Sequence, residues 1–288
     1  MTSISKLVLG TVQFGMKYGV NNSAWKPASL EIQALVSSAK TNGVQMIDTA
    51  DSYGDSQEEL SKCDLSEIGV MSKFVLTEGV SFKACLKNSL SRLKIDSLFS
   101  YSFHRAQQLT VFKNWAEVDA LKQKGVLKKI GVSVYSNQEL ETAAQHPQID
   151  LIQVPFNLLD NYHSRKKGLE LAARNNKIVH VRSVFLQGLF FMSAAKMTGK
   201  ISALIPVVEE IQALAKESKI SVEEMCLSYV LSKPEIQGVV IGVDSLEQLK
   251  QNIAAFSGPD LPSSLIKEIE NLRVPDGDLL NPKNWEPT

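Results

Sequence analysis

Short runs of apolar residues recur along the chain, and each is followed by a stretch with helical spacing. Eight such runs lie at residues 7–12, 44–50, 69–75, 97–104, 129–135, 151–157, 178–184 and 238–243. The runs have almost no alternation of polar and apolar residues, which is typical of strands buried on both faces of a parallel sheet. We therefore predict eight buried strands.

Helical spacing separates these runs. Residues 204–215 repeat apolar side chains at i, i+3, i+4 and i+7, as in a helix that buries one stripe. Helix starts are predicted at Asn137, at Ser221 with Glu224 as a capping box, and at Ser245 with Gln248 as a second capping box.

Eight strand–helix units in about 250 residues are the number found in a closed (β/α)8 TIM barrel, an α/β fold. A doubly wound open sheet is the alternative. No linker or break in composition divides the chain, so residues 1–288 are predicted to form a single domain in which residues 257–288 are a C-terminal helix and tail.

Composition narrows the range of partners. Lys plus Arg equals Asp plus Glu at 31 each, so the chain lacks the basic excess typical of nucleic-acid binding. Three cysteines cannot form a complete disulfide framework, and no apolar run approaches the roughly 18 residues of a membrane span. We expect a cytoplasmic protein with a small-molecule partner, no nucleic acid and no membrane. The sequence does not specify the oligomeric state.

Four polar residues stand at or just after the ends of predicted strands. Asp48 ends the second strand, Tyr53 follows it, Lys73 ends the third and His104 ends the fourth. Each alone has a structural explanation, as a turn cap, a packed phenol, a solvated cation or a structural imidazole. In a parallel barrel, however, active sites lie at the carboxyl ends of the strands, where these four side chains would converge.

Several segments together resemble the aldo-keto reductase family. The matching segments, in family order from about residue 7 to residue 253, are MIDTADSYG, SKF, FHR, GVSVYS, LIQVPFNLLD, VRSVFLQGLF and VVIGVDSLEQLKQNI. The resemblance implies a barrel enzyme that reduces an aldehyde, ketone or sugar with NADP(H), with NAD(H) as the alternative cofactor. It also implies that Asp48, Tyr53, Lys73 and His104 form a catalytic tetrad.

The chemistry of carbonyl reduction explains these four residue types. Oxygen gains charge as hydride reaches the carbonyl carbon, and Tyr53 would protonate it. A nearby Lys73 ammonium would lower the pKa of the phenol. Asp48 would pair with Lys73, because an unpartnered buried ammonium is costly. His104 would orient the carbonyl by hydrogen bonding, and no metal is required.

The resemblance also implies a set of cofactor-binding residues. These are Thr11, Val12, Asp48, Ser133, Gln153, Arg182, Ser183, Phe185, Gln187, Gly242, Asp244, Gln248, Gln251 and Asn252. Two positions depart from the family pattern. Val134 stands where Asn is usual, and Arg182 stands where many members stack an aromatic ring on the nicotinamide. Arg182 either faces the cofactor or is a solvated cation at a strand end.

The nucleotide end of the predicted site carries few cations. Lys250 is the only one in GVDSLEQLKQN, and Asp244 would repel a 2′-phosphate, which favours a weak preference for NADPH over NADH. Asp244 and Gln248 equally fit a helix start.

Two other functions remain open. One is a cofactor-binding sensor or regulatory protein on the same barrel. The other is an unrelated barrel enzyme such as a lyase or metal hydrolase, although His146, His163 and His180 lack metal-binding spacing. Neither the physiological substrate nor the preferred direction of reaction follows from the sequence.

Overall fold

The computed structural model describes residues 3–19 and 26–285, in which eight parallel strands close into a barrel. The strands, β1 to β8 in chain order, are Leu7–Gly10, Met46–Asp48, Gly69–Phe74, Leu98–Phe103, Leu127–Ser133, Leu151–Pro155, Ile178–Arg182 and Gly238–Gly242. Each strand pairs with the next, and β8 returns to β1. The predicted (β/α)8 barrel is confirmed, and the open-sheet alternative is excluded.

Helices follow the strands and cover the outside of the barrel. Helices α1 to α12, in chain order, are Val12–Gly15, Ser29–Thr41, Ser56–Leu60, Phe82–Leu93, Gln107–Val111, Trp115–Gln123, Asn137–Gln145, Tyr162–Arg174, Ile205–Glu217, Val222–Leu231, Leu246–Phe256 and Ser263–Asn271. Six 3₁₀ segments lie at Ser3–Lys6, Leu186–Phe191, Ala194–Lys196, Gly199–Leu204, Gly277–Leu280 and Pro282–Asn284. Among these described helices, none has the length and apolar character needed to cross a membrane.

The predicted helix starts are correct to within one residue. The Ser221–Glu224 capping box is confirmed at α10. Helix α7 is capped by Ser136, so the cap predicted at Asn137 is displaced by one residue. At α11 the Ser245 hydroxyl accepts from the Gln248 N–H, whereas the Gln248 side chain accepts from the N–H of Asp244, and the predicted reciprocal box is only half formed.

The inside of the barrel changes from apolar to polar between two successive layers. Val8, Met71 and Leu151 pack together in the lower layer. Two residues farther along β3 and β6 stand Lys73 and Gln153, which point to the same side because side chains alternate along a strand. The polar layer therefore lies on an apolar plug, at the carboxyl ends of the strands.

His180 on β7 belongs to this polar layer. It is 5% exposed, and its Nδ1 has no hydrogen-bond partner among the described residues. Its ring occupies the space beside Gly238 on β8, where a Cβ atom would overlap it. Burial lowers the pKa of His180 to about 4, so the ring is neutral at physiological pH.

Two glycines allow the loops after β1 and β2 to touch. A Cβ atom on Gly15 would overlap the carbonyl oxygen of Tyr53. Gly54, with a φ of +55°, would in turn overlap the carbonyl of Gly15 if it carried a side chain. The Ser56 hydroxyl joins the same loops by donating to the carbonyl of Thr11 at 2.9 Å. These contacts set the position of the loop that carries Tyr53.

We expect Gly15→Ala to lower the free energy of unfolding by about 1–3 kcal/mol, because the new methyl group meets backbone that cannot rotate away. Urea denaturation measures the change. Gly277→Ala is the control, since a Cβ atom there meets nothing within 4 Å. Equal stability of the two variants would contradict the proposed loop contact.

A second prediction concerns stability at acid pH. The unfolded chain protonates His180 below its ordinary pKa of 6.5, whereas the folded chain does so only near 4, so stability is lost as pH falls through this interval. Over this interval, His180 changes the free energy of unfolding by about 3 kcal/mol. We expect His180→Asn and His180→Gln to flatten the dependence of unfolding free energy on pH between 4 and 6.5. The exposed His163→Gln is the control, and an unchanged slope in both His180 variants would refute the assignment.

Candidate active site

The four predicted catalytic residues come together at the carboxyl ends of the strands. Asp48 is the last residue of β2, Lys73 is the penultimate residue of β3, and His104 directly follows β4. Tyr53 lies in the loop between β2 and α3. The barrel therefore brings residues from three neighbouring strands and one loop into a single cluster.

Lys73 is the centre of this cluster. Its Nζ lies 2.5 Å from Asp48 Oδ2, 3.0 Å from the carbonyl oxygen of Thr49 and 3.4 Å from the hydroxyl oxygen of Tyr53. Its side chain is only 2% exposed. Burial alone would lower the pKa of Lys73, but Asp48 and Tyr53 together raise it above its ordinary value. The ammonium is therefore charged and uses all three N–H groups.

Tyr53 is held in its protonated form. Burial raises the pKa of its phenol, Lys73 lowers it by less, and the net pKa lies above the ordinary value. The prediction that Lys73 would lower the pKa of Tyr53 was thus correct for the contribution of Lys73 and wrong for the net result, because removal of the phenol from water has the larger effect. A protonated phenol is the state that a proton donor requires.

His104 is also neutral. Burial, followed by the charges of Lys73, Arg182, Lys283 and Arg105, lowers its pKa to about 3. Its Nδ1 lies 3.2 Å from the Ser52 hydroxyl, and its ring meets Tyr53 edge-on, with 5.8 Å between centroids. In the tautomer in which Ser52 donates to Nδ1, Nε2 carries the proton and is available to donate.

Asp51 anchors the loop that carries Tyr53, a role that local sequence did not indicate. The hydroxyl of Tyr101 donates to Asp51 Oδ2 at 2.7 Å. Arg92 on α4 donates to the carbonyl oxygens of Asp51 at 3.1 Å and Gly54 at 2.6 Å. Arg92 and Tyr101 are far from this loop in sequence, so no short motif could have identified them.

Ser133 and Gln153 leave polar atoms available beside the tetrad. Gln153 Nε2 donates to Asp48 Oδ1 at 2.9 Å, which gives each oxygen of this carboxylate a donor. Within residues 3–19 and 26–285, this is the one hydrogen bond of the Gln153 side chain, which leaves Oε1 available, and the hydroxyl of Ser133 makes none. An acceptor and a hydroxyl in this position suit a carboxamide ligand.

The residues that follow β1 divide between structural and accessible positions. Thr11 is fully buried, and its hydroxyl donates to the carbonyl of Asp48 at 3.0 Å, which ties β1 to β2. Val12 is half-buried at the start of α1. Gln13, which sequence reasoning missed, is 9% exposed, packs against Gly242 and leaves its Oε1 without a partner among the described residues.

The loop after β7 has an unusual backbone. Positive φ angles occur at Ser183 (59°), Leu186 (45°), Gln187 (56°) and Gly188 (87°). Such conformations cost energy in residues other than glycine and often mark ligand-binding loops. Asn157 Nδ2 donates to the carbonyl of Ser183 at 3.1 Å, and Phe185 packs on Phe191 with 5.5 Å between centroids.

Arg182 is stacked on an aromatic ring that sequence reasoning missed. Its Cζ lies 4.2 Å from the ring centroid of Tyr135, and it donates to the carbonyl of Val134 at 3.2 Å and to the Ser183 hydroxyl at 3.4 Å. Arg165 fixes Tyr135 by donating to its carbonyl at 2.7 Å. Arg182 is half-buried and bonded, so it is not a freely solvated cation.

The nucleotide end predicted at β8 and α11 is mostly engaged within the protein. Asp244 is half-buried, and burial raises the pKa of its carboxyl group. Gln251 donates to Glu247 at 3.2 Å, and Asn252 is 7% exposed. Elsewhere in the described chain, no group of three or more His, Cys, Asp or Glu side chains is arranged to hold a metal ion.

Comparison with known proteins places the chain in a family. The model of the aldo/keto reductase family matches residues 6–274. The uncharacterized oxidoreductase YqkF of Bacillus subtilis is 26% identical over 66% of this chain and 64% of its own length. The NADH-specific methylglyoxal reductase of Escherichia coli is 22% identical over 93% of this chain and 95% of its own length.

Solved structures have the same fold. The holo form of aldo-keto reductase AKR11C1 from Bacillus halodurans has a TM-score of 0.76 at 19% identity, covering 93% of this chain and 92% of that chain. An aldo-keto reductase from Klebsiella pneumoniae in complex with NADPH has a TM-score of 0.70 at 20% identity, covering 94% and 92%. At these identities the structures establish the barrel, while the family model covers nearly the whole sequence. The chain therefore belongs to the aldo/keto reductase family, a family of NAD(P)H-dependent oxidoreductases.

Proposed function

We propose that this protein reduces the carbonyl group of a small aldehyde, ketone or sugar to an alcohol, with Tyr53 as the proton donor. The observation that carries this proposal is the position of Lys73, which is buried and contacts both Asp48 and the Tyr53 hydroxyl. A protein that only bound a cofactor would not require a buried ammonium beside a phenol. This contact therefore favours an enzyme over the sensor or regulatory alternative.

Each residue of the tetrad has a distinct part in the proposed reaction. Tyr53 donates its proton to the substrate oxygen as negative charge develops there. Lys73 stabilises the phenolate that Tyr53 becomes, and Asp48 keeps Lys73 in place and charged. His104 stays neutral and donates a hydrogen bond from Nε2 that orients the carbonyl.

The residues around the tetrad fit a nicotinamide dinucleotide. Gln153 Oε1 and the Ser133 hydroxyl would bind its carboxamide, and the loop with positive φ at Ser183 and Gln187 would follow its pyrophosphate. The bound dinucleotide supplies the hydride. The contacts of Thr11, Val12 and the residues of α11 with the cofactor, and the cytoplasmic location, stay predictions from the sequence.

The first test is Tyr53→Phe, which removes the proton donor and keeps the ring. We expect kcat for an aldehyde to fall by a factor of about one hundred to ten thousand. The affinity for NADPH, measured by fluorescence titration, should change little, because the hydroxyl contacts Lys73 and not the predicted nucleotide residues.

Tyr162→Phe is the matched control for loss of a phenol hydroxyl. The Tyr162 hydroxyl donates to Glu235 at 2.8 Å, away from Lys73, so its removal should leave turnover close to that of the unaltered protein. Near-normal turnover by Tyr53→Phe would eliminate Tyr53 as the acid.

A second prediction concerns the choice of dinucleotide. In the predicted nucleotide-binding segment, residues 242–252, Lys250 is the only cation and Asp244 is half-buried. This segment therefore has no arginine that could bind a 2′-phosphate through two hydrogen bonds. We expect kcat/KM to favour NADPH over NADH by less than about a hundredfold with one shared aldehyde. A ratio in the thousands would mean that a cation from another segment reaches the phosphate.

A further inference from the structure

Three cations lie near His104, at the mouth of the site. Arg182, Lys283 and Arg105 all lower the pKa of His104, which places their charges within electrostatic reach of its ring. None of the three forms an ion pair with any residue in the ranges 3–19 and 26–285. The neighbouring carboxylate, Asp48, is already paired with Lys73. Among the described residues, these three charges therefore have no paired carboxylate.

Two of these cations meet on a single ring. The Cζ of Arg182 lies 4.2 Å and the Nζ of Lys283 lies 5.1 Å from the centroid of Tyr135. Arg182 comes from the end of β7, whereas Lys283 comes from the C-terminal segment. Two like charges that contact the same ring repel each other, and an anion bound by both would offset that repulsion.

The local structure holds this pair in place. The backbone of Tyr135 is held by Arg165, which donates to its carbonyl and is paired with Asp160 through two hydrogen bonds of 2.7 and 2.6 Å. Trp285, two residues after Lys283, is buried and donates to the carbonyl of Leu279 at 2.7 Å. Arg182 uses two N–H groups within the described chain and has three left. A planar guanidinium with free donors suits a carboxylate or phosphate.

We propose that the substrate is a carbonyl compound that also carries an anionic group, a carboxylate or a phosphate, and that Arg182 and Lys283 bind that group. This inference rests on the proposed carbonyl reduction and specifies its substrate class. Arg182 and Lys283 then determine specificity, while the tetrad performs the reaction.

Matched substrate pairs test the proposal. Each pair joins a neutral aldehyde to an anionic one with the same number of carbon atoms: glyceraldehyde with glyceraldehyde 3-phosphate, and butanal with succinic semialdehyde. We expect kcat/KM to be at least about tenfold higher for the anionic member of one or both pairs. The pair with the larger ratio distinguishes phosphate from carboxylate. The ratio should decrease as ionic strength rises.

Variants assign the effect to the two side chains. Arg182→Gln combined with Lys283→Gln should lower the anionic-to-neutral ratio by about tenfold or more, and Lys283→Arg should restore most of the contribution of Lys283. Lys124→Gln is the control, because it removes one exposed charge at the C-terminal end of α6, next to the amino end of β5 at the opposite face of the barrel. Its ratio should equal that of the unaltered protein.

The outcomes separate this inference from the proposed function. If neutral and anionic aldehydes are reduced equally well, the anionic-substrate inference is wrong and carbonyl reduction stands. If no aldehyde or ketone is reduced, the proposed function itself fails. If the double variant weakens NADPH binding and slows both members of a pair by the same factor, the two cations serve the cofactor, which would also overturn the inference.

Discussion

The buried pair of Lys73 and Asp48 is the interaction on which the site depends. Burying two charges is costly, and the cost is offset only when their remaining hydrogen-bonding groups are satisfied. Gln153 supplies the second donor to Asp48, and the carbonyl of Thr49 supplies a further acceptor for Lys73. Barrel closure makes this possible, because β6 can reach a carboxylate on β2 only across the interior of a closed sheet. The ion pair of Lys73 and Asp48 therefore depends on closure of the barrel.

Loop packing sets the position of Tyr53, the proposed proton donor. Tyr53 is not on a strand, and its position is set by the glycine contact with the β1 loop on one side and by the bonds of Arg92 and Asp51 on the other. The backbone around Tyr53 is thus bonded from two directions, which suits a hydroxyl that must stay 3.4 Å from Lys73. A small change in either loop would move the phenol relative to the ammonium.

The sequence predicted the elements and the clustering of Asp48, Tyr53, Lys73 and His104 well, because both leave local signals. Continuous apolar runs mark strands that are buried on both faces, and a polar residue at the end of such a run marks the catalytic edge. Strand ends were predicted too long because Val12, Val134 and Val184 continue the apolar pattern after the last strand residue. Arg92, Arg165 and Tyr135 act on residues distant in sequence or through stacking, which a local pattern does not record. The net pKa of Tyr53 depended on burial, and burial required the tertiary structure.

Burial and positive charge together prepare the site for the charge that develops during reduction. Burial keeps both Tyr53 and His104 neutral, so each can donate a proton or hydrogen bond toward a substrate oxygen. The nearby cations lower the pKa of both groups, which favours loss of the phenol proton and prevents protonation of the imidazole. Asp48, which is paired with Lys73, opposes this effect at Tyr53 by raising the pKa of the phenol, but by less than Lys73 lowers it. A fixed positive potential at the position where an oxyanion forms stabilises the transition state more than a neutral ground state. The positive charge that we propose to bind an anionic group would thus also favour reduction of the carbonyl group of the same ligand.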